Sequence, residues 1–241
     1  MLNQINHWME YGAAGVDLVL LLRVLGLRLQ RVYVFLTLAC FLTVIFDAAN
    51  MFYGQEAPRV EIYSELFLAC IFPLAAWDVF EEIAASVSAL RRLAMLRTLA
   101  SFIIISFFGL AFLPSLSERD DPTGLIFLQF IALTVSTASA GSCLGFLWIM
   151  HRGIEMHKVV MRKNTLVWML FFGLLMAGQL LVWFELIVLE FVAEAARANF
   201  STAATILLNF YGLVITLWCA VKLSGLPKDL PASLSETEPG P

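Results

Sequence analysis

Charge is scarce in this chain: 14% of its 241 residues are Asp, Glu, Lys or Arg, where a soluble domain carries about 25%. Histidine is scarcer. His7, His151 and His157 are the only three, and all fall at or beyond the ends of apolar segments. That excludes a haem held between two membrane histidines and a zinc centre built from several membrane-embedded histidines with an aspartate. A retinal Schiff base needs a lysine midway along the last apolar segment, whereas Lys222 lies at its end. Phosphate-binding glycine loops, Walker patterns and EF-hand spacings are missing. The string GSCLG at 141–145 imitates a nucleophile elbow around Cys143, but it lies mid-helix with no histidine at that depth. These absences predict a protein that is not an enzyme and carries no cofactor and no metal.

Two further absences concern the compartment. Cys40, Cys70, Cys143 and Cys219 all lie inside apolar segments, so no disulfide framework is expected. The opening MLNQINHWMEYGAAG has no basic residue before its apolar run and does not read as a cleaved signal peptide. No connection is long enough to hold an additional domain.

What the chain has in abundance is apolar sequence, 61% of its residues, with a mean hydropathy of +0.85. Seven segments reach the roughly 20 residues needed to cross a hydrocarbon core about 30 Å thick: 8–27, 31–54, 61–83, 98–114, 124–150, 165–191 and 203–222. Runs such as SFIIISFFGLAFL are continuously apolar, so their backbone must be satisfied within helices rather than in alternating barrel strands. The expectation is an all-α, polytopic integral membrane protein: one seven-helix bundle over 1–224, followed by a polar, proline-rich, disordered tail over 225–241.

Orientation follows from the basic residues, which cytoplasmic loops retain. One set of alternating loops collects 12 of the 15, among them Arg23, Arg28, Arg31, Arg152, Lys163 and Lys222; the other holds Arg59, Arg119 and Arg197. This predicts an outer N-terminus and a cytoplasmic C-terminus in a plasma membrane or bacterial inner membrane. The outer face carries eight acidic residues against three basic ones and would attract cations. The basic inner loops suit insertion and anionic lipid rather than nucleic acid, since none gathers more than about four charges.

Polar and small residues form stripes at helical spacing on three segments: Thr37, Cys40, Thr43, Asp47 and Asn50; Thr134, Thr137, Gly141, Gly145 and Trp148; Thr205, Asn209, Gly212, Thr216 and Cys219. Steps of three and four put each set on one face, expected to point inward. Small residues on such a face also let membrane helices approach closely with no ligand involved.

Five acids lie well inside the predicted spans, set back from their ends: Asp17, Asp47, Glu65, Asp78 and Glu185. Placing an aspartate at the bilayer centre costs about 2.5 to 3.5 kcal/mol, so each needs water, a partner or a proton. At about 1.5 Å per residue, Asp47, Glu65 and Glu185 share a layer about 7 to 10 Å outward of the midplane, with Asp17 near the middle and Asp78 about 9 Å inward. The expected site is an acidic pocket made by Asp47, Asn50, Glu65, Glu185, Asn209 and Asp17, reachable from outside and able to take up a proton or a cation. Arg23 and Asp78 are expected to pair near the inner side and tie two helices together.

Three functions compete on this reading. The first is a sensor or receptor-like module for a small cationic or protonatable ligand. The second is a proton- or cation-coupled transporter or channel using Asp17, Asp47 and Asp78. The third is an accessory subunit of a membrane complex. Expected partners are the lipid bilayer, a membrane or cytoplasmic protein, and a second copy of the chain.

Overall fold

The computed structural model describes residues 2–53, 58–84, 125–157, 163–191 and 194–225, together with Leu96, Ala100 and Ile103. Six α-helices hold nearly all of them: α1 (Leu2–Gly26), α2 (Val34–Tyr53), α3 (Pro58–Ala84), α4 (Leu125–His157), α5 (Lys163–Phe191) and α6 (Glu194–Lys222). A 3-10 turn, Leu29–Arg31, joins α1 to α2. Apart from Ala100 and Ile103, the segment predicted at 98–114 lies outside the described residues, as does the tail beyond 225.

Five of the helices are long and apolar enough to cross a membrane, over Val34–Tyr53, Ile62–Val79, Phe127–Met156, Lys163–Val182 and Phe200–Lys222. The protein is therefore a multi-pass membrane protein by the length and composition of its helices. α1 is 25 residues long but carries Glu10, Asp17 and Arg23 and is not among the five. Large apolar side chains face outward on every helix, including Leu22, Phe41, Phe67, Trp148, Phe184 and Leu207. Such a surface is ordinary against lipid tails and untenable in water.

Two connections differ from expectation. The stretch 194–202, read as a loop, is the beginning of α6, because its alanines are strong helix formers and it contains neither proline nor glycine. Helix α4 likewise runs on through Gly153 to His157. Trp168 is fully buried and packs edge-to-face on Tyr33, ring centroids 6.4 Å apart.

Contacts between helices give their directions. Asp78 accepts from Leu36 and Phe46 meets Phe67, so α2 and α3 are antiparallel. Phe72 meets Phe172 and Tyr211 donates to the Leu174 carbonyl, so α5 opposes both α3 and α6. Two pairs are parallel instead. Ser139 donates to the carbonyl of Ala69 at 2.6 Å and Trp77 stacks near Phe146, which aligns α4 with α3. Leu213 lies against Gly12 and Arg23 donates to the Leu223 carbonyl at 3.2 Å, which aligns α6 with α1. These directions bring Arg23, Arg28, Arg31, Arg152, Lys163 and Lys222 to one end of the bundle, here called the basic end.

The tightest packing lies toward that end. Val24, Leu29, Tyr33, Met150, Trp168 and Leu223 are all essentially inaccessible, and they close the bundle around the α1–α2 turn.

Candidate functional site

Asp17 projects from α1 toward α2 and α6. Its carboxyl lies within hydrogen-bonding reach of the Asp47 carboxyl and of the Thr216 hydroxyl. Asp47 sits on the face of α2 turned to α1, and its Oδ2 is shielded from solvent with no hydrogen-bond partner among the described residues. Two carboxylates have acceptors only, so a bond between them requires one shared proton. The pair then keeps a net charge of about −1.

Asp17 opens onto a cavity of about 210 Å³ enclosed by α1, α2, α3, α5 and α6. The lining residues fall near the middle of each helix: 13–20, 36–43, 68–72, 171–175 and 208–216. Its polar groups come only from α1, α2 and α6, namely Asp17, Cys40, Thr43, Asn209 and Thr216. α3 and α5 supply Leu68, Phe72, Phe171, Phe172 and Leu175. Among the described residues, no basic side chain lines it. The cavity thus has a polar wall bearing a carboxyl and an opposite wall of aliphatic and aromatic carbon.

The residues expected to form one outer acidic pocket separate into different interfaces. Asp47 joins Asp17, and Asn209 lines the cavity beside it. Glu65 instead accepts from Gln179 of α5 at 3.2 Å, and Gln179 also bonds Ser136 of α4. Glu185, half-buried on α5, is six residues or about 9 Å beyond Gln179 toward the other end. Asn50 is exposed. Equal depth put these acids in one layer, but depth says nothing about which way a helix face turns.

The expected Arg23–Asp78 pair is also divided. Arg23 donates instead to the carbonyl of Leu223, the first residue past the end of α6. Asp78 is buried and its Oδ2 accepts the backbone N–H groups of Phe35 and of Leu36, the latter at 3.2 Å. Those N–H groups belong to the first turn of α2, where no intrahelical acceptor exists. A carboxylate there completes the turn and meets the positive end of the helix dipole.

The cavity's other residues were partly visible in the sequence. Cys40, Thr43, Gly212 and Thr216 belong to the stripes on α2 and α6, and those stripes do turn inward. The aromatic wall of Phe72, Phe171 and Phe172 carried no distinguishing signal, because phenylalanine is common along every span. Gln179 and Ser136 went unnoticed for a similar reason: one uncharged polar residue per helix turn forms no pattern. Among the described residues, no group of three His, Cys, Asp or Glu side chains could hold a metal ion.

The chain matches no family model, no curated protein and no solved structure.

Proposed function

We propose that the chain is a seven-helix integral membrane protein, outer at its N-terminus, that acts as a non-enzymatic sensor or receptor-like module binding a small cationic or protonatable ligand. The observation that carries this reading is the Asp17–Asp47 pair at the wall of a mid-bundle cavity with no basic residue to neutralise it. An ionisable group in the membrane that lacks a structural counter-ion is most economically explained by a ligand or a proton. The binding residues on this reading are Asp17, Asp47 and Asn209, with Thr43 and Thr216 beside them. Asn50, Glu65 and Glu185 drop out of the site.

The seventh helix is supported by direction. α3 and α4 run parallel, so two crossings in the same sense must be separated by one in the opposite sense. Residues 98–114 are the apolar stretch available for it. The clustering of basic side chains at one end supports a cytoplasmic position for that end.

A proton- or cation-coupled transporter is the second reading, favoured by the cavity's mid-depth position, where transport sites commonly lie. The basic end weighs against it. Trp168, Tyr33, Leu29 and Met150 pack that end shut, its buried Tyr33, Thr165 and Asn164 side chains are bonded to one another or to Ser224, and Asp78 is engaged in capping α2.

Thermal unfolding of the purified protein in detergent, with and without monovalent organic ammonium ions, tests the site. Saturating ammonium should raise the melting temperature of the wild type and leave Asp17→Asn unmoved, as expected for a ligand that binds only the folded state. Equal shifts in both proteins would remove the basis for the reading. Proteoliposomes should show no proton or cation flux above empty vesicles, and an Asp17-dependent flux would favour the transporter.

A further inference from the structure

We propose that the cavity selects a small monocationic amine with a compact apolar body, its ammonium group against Asp17 and its carbon skeleton against α3 and α5. The inference rests on the reading that the site takes a cation, and adds what kind.

The walls decide the class. All five polar side chains sit on α1, α2 and α6, and the facing wall is Leu68, Phe72, Phe171, Phe172 and Leu175. A bare metal cation asks for six or more oxygen ligands around it, and the aromatic wall offers none. A diamine or a polyhydroxylated cation would leave its second polar end unpaired against that wall, which costs more than the contact returns. An amine with one polar end and one apolar end satisfies both walls, and aromatic rings next to an ammonium add attraction of their own.

Size sets a limit. A cavity of about 150 Å³ lined by apolar side chains accommodates benzene. The 210 Å³ here then takes about eight to ten non-hydrogen atoms by proportion.

Gly212 supplies a separate observation. It lies on the cavity wall, and a Cβ built there would meet nothing within 4 Å. Gly178 and Gly12 are packing sites, where a Cβ would lie 2.9 Å from Tyr211 and 3.2 Å from Leu213; Gly15, Gly26 and Gly145 face open space as Gly212 does, but of these four only Gly212 lines the cavity. Helix packing therefore does not require a glycine at 212. Its missing side chain enlarges the cavity instead, although glycine in a helix costs about 1 kcal/mol relative to alanine.

The experiment is equilibrium binding to the full chain in detergent, with benzylamine as the amphipathic cation, benzyl alcohol as its neutral counterpart and ethanolamine as a cation without an apolar body. Benzylamine should bind at least tenfold more tightly than either: over ethanolamine because each additional buried carbon contributes about 0.8 kcal/mol, and over benzyl alcohol because only the ammonium group makes a charge-assisted bond to the Asp17 carboxyl. Binding should be lost in Asp17→Asn. It should also be lost in Gly212→Leu, which fills the cavity without displacing a neighbour and keeps the test valid if Asp17→Asn does not fold. Asp17-dependent binding of ethanolamine as tight as that of benzylamine would overturn this inference and leave the cation site standing. Binding of benzyl alcohol equal to that of benzylamine, or saturable binding of neither amine, would overturn both. Benzylamine binding that survives Gly212→Leu would place the amine elsewhere and overturn the inference alone.

Discussion

The Ser139 hydroxyl donates to the carbonyl of Ala69 at 2.6 Å, and with Trp77 lying against Phe146 further along it sets α4 beside α3 with both helices running the same way. Ser139 is buried, and its partner is the carbonyl oxygen of a helix residue, so the bond adds a second acceptance to a carbonyl already used within α3. Hydrogen bonds of this kind between membrane helices contribute about 0.6 kcal/mol on average. Their larger effect is to fix direction and register.

Direction leads to a prediction about topology. On the proposed orientation α3 and α4 both cross from the outer to the inner side, so single cysteines at Ser88 and Asp120 should react from opposite faces of intact cells or oriented vesicles, in a background with the native cysteines replaced. Ser88→Cys should label only from the cytoplasmic side and Asp120→Cys only from outside. Labelling of both from one side would mean that 85–124 does not cross.

Asp78 should be a stability residue rather than a ligand residue. Asp78→Ala leaves the Phe35 and Leu36 N–H groups without their acceptor, a loss of about 1 to 3 kcal/mol for a buried, charge-assisted cap. Chemical denaturation in mixed micelles should show that loss, with Asp78→Asn intermediate because one carbonyl oxygen remains. The folded fraction of either variant should still bind ammonium ligands with wild-type affinity, and weakened affinity would return Asp78 to the site.

Arg28 is the one described non-glycine residue with positive φ, 56°, in the turn between α1 and α2. A side chain in the left-handed region costs about 1 to 2 kcal/mol, a cost glycine escapes. Arg28→Gly should therefore stabilise the folded protein by up to about 1 kcal/mol, visible as a higher melting temperature in detergent. A lower one would show that the Arg28 side chain makes a contact worth more than the strain.

Asp17 and Asp47 should behave as one unit. Either Asp→Asn substitution relieves the approach of two carboxyls, after which the second substitution has less to relieve. The unfolding free energies of the two single variants and the double variant should depart from additivity by about 0.5 to 3 kcal/mol. Additive effects would mean that the two groups do not meet.

Composition alone determined that the chain is helical and lives in lipid, since an apolar run of this length has no other way to satisfy its backbone. The periodic stripes on α2 and α6 likewise pointed Cys40, Thr43, Asp47, Asn209, Gly212 and Thr216 inward, because 3.6 residues per turn is a local property. Partnership between helices was beyond the sequence. Depth along a span can be counted from residue numbers, but the azimuth at which one helix meets another depends on every side chain at the contact. For that reason Asp47 and Glu65, level in the sequence, went to separate interfaces, while Asp17 and Asp47, unequal in depth, came together. Asp78 was read correctly as lying near the basic end, yet its partner proved to be the backbone of α2 and not Arg23, since an unsatisfied helix terminus offers a carboxylate two donors that no sequence pattern announces.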